Sequence, residues 1–192
     1  MPPTARDRLI TAAVKLIREH GGQTTTAQIA REAGCSEGNI FKQFGSKSGL
    51  LATALCEELP RIGIEENVAP VGSGDLDENL RALLSTLVEF QRNALPLMAT
   101  LLSDPALRAE YQRVSDQRGT GPQVAVERVA HYLRSEQEIG RLRGDLDPAT
   151  AAVLLLGAAQ NFALTELATG ASRQTDELLT GTAALIAASL TG

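Results

Sequence analysis

Between residues 24 and 47 the chain gathers side chains suited to gripping a polyanion and reading base edges. Thr24, Thr25, Thr26, Ser36, Asn39 and Gln43 offer hydroxyls and amides, Lys42 and Lys47 offer positive charge, and Phe41 offers an apolar ring. Amides and hydroxyls bond to base edges and sugar-phosphate oxygens, and lysines pair with phosphates. Such chemistry needs a frame that presents these groups together.

The spacing predicts that frame. Thr25 with Gln28 three residues on is a capping box, so a helix starts there. Ile29, Ala30 and Ala33 form its apolar face, and Gly34 stops it. Ser36 is a good N-cap for a second short helix. In that helix Ile40 and Phe44 face inward, while Glu37, Gly38, Asn39, Lys42 and Gln43 form a polar outer face. Two short helices joined by a glycine turn, the second polar outside, predict a helix-turn-helix whose second helix enters the major groove. Gly38 costs roughly 1 kcal/mol relative to alanine in a helix interior. Either it lets the helix approach a DNA backbone closely, or its place in the first turn makes the penalty small. Ser46 is read as the cap of the next helix. Lys47 then opposes that helix's dipole, so it either faces a phosphate or stays solvated.

Thr24, Thr25, Ile29, Ala30, Ala33, Gly34, Ser36, Gly38, Ile40, Phe44, Ser46, Lys47 and Leu50 fall at positions that mark a known pattern. Over about its first 50 residues the chain resembles the DNA-binding domain of the TetR family of bacterial transcriptional regulators. The resemblance implies an all-α fold of about nine helices. A three-helix DNA-binding domain would occupy residues 1–47, and a larger helical domain for effector binding and dimerisation residues 48–192. It implies DNA contacts from Thr24, Thr25, Thr26, Ser36, Glu37, Gly38, Asn39, Phe41, Lys42, Gln43 and Lys47. Five positions depart from the pattern. Thr26 and Cys35 replace valines, Phe41 replaces a tyrosine and so lacks its hydroxyl, and Gln43 replaces a histidine. Glu37 stands where a basic residue is frequent. Its carboxylate either accepts from a cytosine amino group or repels phosphates.

The 192 residues carry a net charge of −5, unevenly spread. Residues 1–50 hold seven Lys/Arg and four Asp/Glu, a net +3 that includes all three lysines, so the other 142 residues carry −8. A basic head on an acidic body suits a DNA binder. The length suffices for one DNA-binding module plus a larger core. No apolar leader is read at the N-terminus, and the apolar run Ala151–Leu164 is too short to span a bilayer and carries Gln160 and Asn161. The expected location is the cytoplasm, with no membrane partner. Cys35 and Cys56, with His20 and His131, form no zinc or disulfide pattern, and no cofactor is implied. Cys35 is either a small buried hydrophobe or a thiol sensor of oxidation.

Further helices are expected around this motif. Thr4 caps one that carries Leu9, Ala13, Leu16 and Ile17 and ends at Gly21-Gly22. Another runs from Lys47 to Leu59, with Pro60 at its end. A loop covers residues 69–75. Asp75 or Asp77 caps a helix bearing Leu80, Leu83, Leu84, Leu87 and Val88, and Pro96 starts a new short helix that Asp104-Pro105 closes. Helices over 106–117 and 123–138 are separated by a break ending at Pro122. Asp147-Pro148 starts a helix to Thr169 that is apolar nearly all round, and a last helix covers about 174–190. The apolar excess of these last two points either to a symmetric dimer built as a four-helix bundle or to a purely intramolecular core. Leu155, Ala159, Phe162, Ala163, Leu179 and Ile186 are the expected interface.

The reading is of a transcriptional repressor, a homodimer on a near-palindromic double-stranded operator, released by a small-molecule effector. Phe90, Gln91, Met98, Tyr111, His131, Tyr132, Asn161 and Phe162 either line the effector pocket or pack in the core. The alternative is a DNA-binding structural or cell-division factor of the same fold without an effector. No nucleophile triad, paired-carboxylate motif or phosphate loop is found, so no enzyme is expected.

Overall fold

A computed structural model describes residues 2–59, 62–121, 123–170 and 173–191, so Pro60 and Pro122, expected at helix ends, lie outside the described residues. Among the described residues there are ten α-helices and no strands. They are α1 (Ala5–His20), α2 (Thr26–Glu32), α3 (Glu37–Phe44), α4 (Lys47–Glu58), α5 (Ile64–Asn67), α6 (Leu76–Ser103), α7 (Pro105–Arg118), α8 (Gln123–Glu138), α9 (Pro148–Thr169) and α10 (Arg173–Thr191). Local chemistry sets most of the starts. Thr4 and Asp7 form a capping box on α1. Asp104 and Asp147 each cap a helix whose first residue is proline. Asp75 accepts from the Glu78 amide at 3.0 Å, which decides between the two expected caps of α6.

The helices pack as two units. One holds the described residues to Leu59 together with Asn93–Gly121, and the other holds Ile62–Arg92 and the described residues from Gln123 onward. This division differs from a split at residue 47, because α4 is an integral core helix of the first unit. Leu50, Leu51, Ala52, Ala54, Leu55 and Cys56 of α4 are all buried, and α4 packs on α1 and α7. In the second unit α8 packs against α9, with Leu83, Leu84, Leu87, Val129, Leu133 and Leu155 in the core.

Pro96 does not start a helix. It sits inside the single helix α6. A proline removes one hydrogen bond, here to the Arg92 carbonyl, and crowds that carbonyl. The buried stripe nevertheless continues across it through Leu87, Val88, Ala94, Leu97 and Leu101, and that burial outweighs the local penalty. Asp104-Pro105 accordingly opens α7.

The loop after α5 is anchored from beneath. Glu136 of α8 is fully buried, and its carboxylate accepts from Tyr132 Oη at 3.1 Å, the Gly72 amide at 3.3 Å and Arg141 at 3.2 Å. Arg141 also donates to the Ser73 and Gly74 carbonyls. A buried carboxylate is tolerated when its lone pairs are filled in this way.

α9 runs from Pro148 to Thr169, the extent that the Asp147-Pro148 start predicts, and extends beyond the apolar run 151–164. At 22 residues, with mean hydropathy 1.4 over its best 18-residue stretch, it is long and apolar enough to cross a membrane by length and composition. Ala151, Ala152, Leu155, Leu156, Ala159, Phe162 and Ala163 line the side buried in the second unit, as in the core helix of a folded domain.

Candidate nucleic-acid interface

The polar face of α3 is held by its neighbours. Ile40 is fully buried, and Phe44 packs against the same core as Ile29 and Ala30 of α2. The capping box of α2 forms as the spacing predicts. Thr25 Oγ1 accepts from the Gln28 amide at 3.2 Å, and Gln28 Oε1 accepts from the Thr25 amide at 2.8 Å. Ser36 has the extended backbone of an N-cap, but its hydroxyl makes no capping bond. The Asn39 amide is taken instead by Ser36's own carbonyl at 3.0 Å, which leaves the exposed hydroxyl available. Ser46 does cap α4, accepting from the Gly49 amide at 2.9 Å.

Glu37, Gly38, Phe41, Lys42 and Gln43 are exposed on α3, and Asn39 is half-buried. Phe41 has 53% of its surface exposed, unusual for an aromatic ring with a core beside it. At the start of the face, Thr26 Oγ1 donates to Glu37 Oε2 at 2.6 Å, joining the first residues of α2 and α3. A Cβ built on Gly38 meets nothing closer than Ser36 Oγ at 3.8 Å. The folded chain therefore has room for a side chain there.

Two expected contacts are placed differently. Thr24 is fully buried, and its hydroxyl donates to the carbonyls of Leu16 at 3.1 Å and Gly21 at 3.0 Å. It fastens the end of α1 to the turn before α2 and does not face a groove. Lys47 is half-buried, with Nζ donating to the Gly22 carbonyl at 3.2 Å. An ammonium has three donors, so two stay available to a phosphate.

Several residues that hold this face escaped the sequence reading. Gly49 is buried, and a Cβ there would lie 2.2 Å from the Phe44 carbonyl oxygen, so only glycine lets α4 start this close to the end of α3. Arg6 of α1 stacks over the Phe44 ring at 5.9 Å and donates to Glu57 of α4 at 2.6 Å. The same Glu57 oxygen accepts from Arg118 of α7 at 2.8 Å. Burial alone would raise the Glu57 carboxyl, but the hydrogen bonds from Arg118 and Arg6 outweigh it and hold the group below its ordinary value. Charge pairs more than fifty residues apart leave no local signal in one sequence. Cys35 is half-buried, with Sγ 3.6 Å from Arg8 Nη2 and 3.5 Å from the Ala33 carbonyl.

The expected pocket residues are divided between the two units. Met98 and Tyr111 pack with the core of the first unit, and Phe90, Tyr132 and Phe162 with that of the second. Gln91 is half-buried, and His131 and Asn161 are exposed. Burial pushes the hydroxyls of Tyr111 and Tyr132 up to about 12. Two clefts, of about 380 and 240 Å³, lie along α1 beside Lys15, and neither includes any of the eight residues.

The expected dimer residues also turn inward. Leu155, Ala159, Phe162 and Ala163 are buried in the chain's own fold, and Leu179 and Ile186 pack against the core of the second unit. The surface of these helices is left to Val153, Leu154, Leu164 and Leu167 of α9 and to Leu178 and Leu185 of α10, all exposed.

A capped two-helix turn on a buried three-helix core, its second helix polar outside, is a helix-turn-helix DNA-binding domain. Comparison with known proteins gives the family. Residues 9–54 match the model of bacterial regulatory proteins of the tetR family, and residues 78–184 match the C-terminal domain of AefR-like transcriptional repressors. The chain belongs to the TetR family and is a DNA-binding transcriptional regulator. It is 28% identical over 141 residues to the uncharacterized HTH-type transcriptional regulator YvkB of Bacillus subtilis, covering 73% of this chain and 71% of that one. It is 33% identical over 126 residues to the HTH-type transcriptional regulator BetI of Stenotrophomonas maltophilia, covering 60% of this chain and 63% of BetI, a little under two thirds of its length. The fatty acid degradation regulator FadR of Bacillus halodurans shares the fold, with a TM-score of 0.69 at 20% identity over 97% of this chain and 96% of that one.

Proposed function

We propose that the protein is a cytoplasmic repressor that binds a near-palindromic operator as a homodimer and leaves it when a small molecule binds the larger helical region. The exposed polar face of α3, seated on the buried Ile40, carries the DNA-binding half of this reading. Thr25, Thr26, Ser36, Glu37, Gly38, Asn39, Phe41, Lys42, Gln43 and Lys47 are the contact set, with Thr24 removed by its burial. A two-fold dimer sets two such helices about 34 Å apart, one turn of DNA.

Exposed apolar side chains support the dimer. Leu154, Leu164, Leu167, Leu178 and Leu185 are each at least half exposed. Val153 and Leu164 are three turns apart on α9, and Leu178 and Leu185 two turns apart on α10, so each set keeps to one side of its helix. An apolar strip of that kind is the usual mark of a protein interface. Release by an effector follows from linkage: a ligand that prefers the DNA-incompetent state weakens DNA binding by the same factor by which DNA weakens ligand binding.

Genome-wide footprinting of the native protein tests the reading. A few near-palindromic sites in front of genes, with transcription rising when the protein is deleted, are expected. Uniform coverage without promoter preference would overturn it.

A further inference from the structure

The polar face of α3 contains an anomaly. Glu37 is the only acid between Glu32 and Glu57, in a segment otherwise neutral or basic, and it occupies the first position of the helix read as entering the groove. A carboxylate close to phosphates is repelled, and that weakens binding to every sequence. An acid at this place therefore opposes affinity unless it gains something at a base.

We propose that Glu37, positioned by Thr26, selects a cytosine at one symmetric position of the operator. The inference rests on the reading of α3 as the groove helix. Three observations carry it. First, Glu37 is exposed, so its carboxylate is accessible to a ligand. Second, its side chain is held before DNA arrives. Oε2 accepts the Thr26 hydroxyl at 2.6 Å from the start of α2. A tethered side chain loses less rotamer freedom on binding than a free one. Third, no hydrogen bond to Oε1 is found among the described residues, so one acceptor oxygen is available while the other is anchored.

The chemistry then narrows the base. An ionised carboxylate only accepts hydrogen bonds. In the major groove guanine shows two acceptors and thymine an acceptor and a methyl group, so both repel it. Adenine offers its N6 amino group beside the N7 acceptor, which opposes the carboxylate. Cytosine offers the N4 amino group with no acceptor on its own major-groove edge, and guanine O6 lies across the pair. Cytosine is the base that fits.

The test takes the footprinted operator and replaces the base pairs of each half-site one at a time, in the same way on both sides. Binding of the full-length protein is measured for wild type, Glu37→Gln, Glu37→Asp and Thr26→Val, with folding checked by circular dichroism. Wild type should lose roughly tenfold or more in affinity when one symmetric C·G pair is replaced. Glu37→Gln should lose that preference at that pair alone while binding random DNA more tightly. Glu37→Asp keeps the charge but shortens the reach, so it should lose the preference without gaining non-specific affinity. Thr26→Val should retain only part of the preference. If Glu37→Gln keeps the wild-type preference at every pair and merely binds all DNA more tightly, Glu37 is a repelled bystander and the proposal fails. If wild type itself prefers no sequence over random DNA, the groove-helix reading fails and the proposal with it. Full discrimination by Thr26→Val would remove the positioning role of Thr26.

Discussion

Glu57 of α4 and Arg118 of α7 form a hydrogen-bonded ion pair at 2.8 Å, and the Glu57 oxygen that makes it also accepts from Arg6 of α1 at 2.6 Å. Arg6 in turn stacks on Phe44 at the end of α3. One carboxylate thus ties α1, α4 and α7 together directly behind the helix that carries the polar face.

Glu57 should therefore stabilise the first unit in a pH-dependent way. Its folded carboxyl titrates lower than the unfolded value of about 4.3, because the two arginines outweigh the effect of burial. A depressed carboxyl contributes stability above the unfolded value and loses it as pH falls through the folded value. Glu57→Gln should be less stable than wild type by about 1.5–3 kcal/mol at pH 7, the range for hydrogen bonds to charged groups. The difference should close as the pH drops below about 4.3. Urea unfolding at pH 7, 5 and 3.5 measures it, and a pH-independent difference would exclude the ion pair as its source.

Gly38 in the first turn of α3 and Gly49 in the first turn of α4 should respond in opposite ways. Alanine at Gly49 places a methyl 2.2 Å from the Phe44 carbonyl oxygen, and backbone must move. Gly49→Ala should cost roughly 1–3 kcal/mol, as overpacking does. Gly38→Ala meets only Ser36 Oγ at 3.8 Å and should fold as well as wild type, or up to about 1 kcal/mol better. If Gly38 serves close approach to DNA, operator affinity must fall in that stable variant. Thermal melts and gel shifts on the pair separate the two roles, and unchanged affinity would assign Gly38 to the chain alone.

Lys47 should act on every sequence alike. It keeps two donors after bonding the Gly22 carbonyl. Lys47→Ala should weaken specific and random DNA equally and lower the slope of log affinity against log salt by about one. An unchanged slope in filter binding from 50 to 200 mM salt would show that Lys47 serves only the Gly22 turn.

How far these elements could be read from the sequence depends on how local their causes are. The Thr25–Gln28 box, the Ser46 cap and the Asp147-Pro148 start are each settled within three residues, and the structure shows all three. The inward turn of Thr24 has no local signal, because its partners, Leu16 and Gly21, lie at the end of α1 and depend on tertiary packing. Pro96 lies inside a helix because local propensity is overridden by a buried stripe that crosses it. Gly49 and Glu57 leave no local signal because their constraints come from other helices. On α9, nearly all residues are apolar, so no polar face fixes which side turns inward. There the helix was legible and its register was not.

That register yields the last prediction. Leu154 and Leu155 are neighbours, yet Leu154 has 66% of its surface exposed and Leu155 1%. A charge at each should therefore do different things. Leu155→Asp buries an unpaired carboxylate in the core of the second unit and should unfold it, because an uncompensated buried charge costs several kcal/mol. Leu154→Asp, alone or with Leu185→Asp, puts the charge on the exposed strip and should leave the fold intact. If that strip joins two copies, these variants sediment as folded monomers. Operator affinity then falls steeply, because a monomer engages one half-site without the gain in effective concentration from its partner. Circular dichroism, sedimentation velocity and gel shifts on one set of variants decide it. Folded dimers carrying aspartate at both 154 and 185 would move the interface away from α9 and α10.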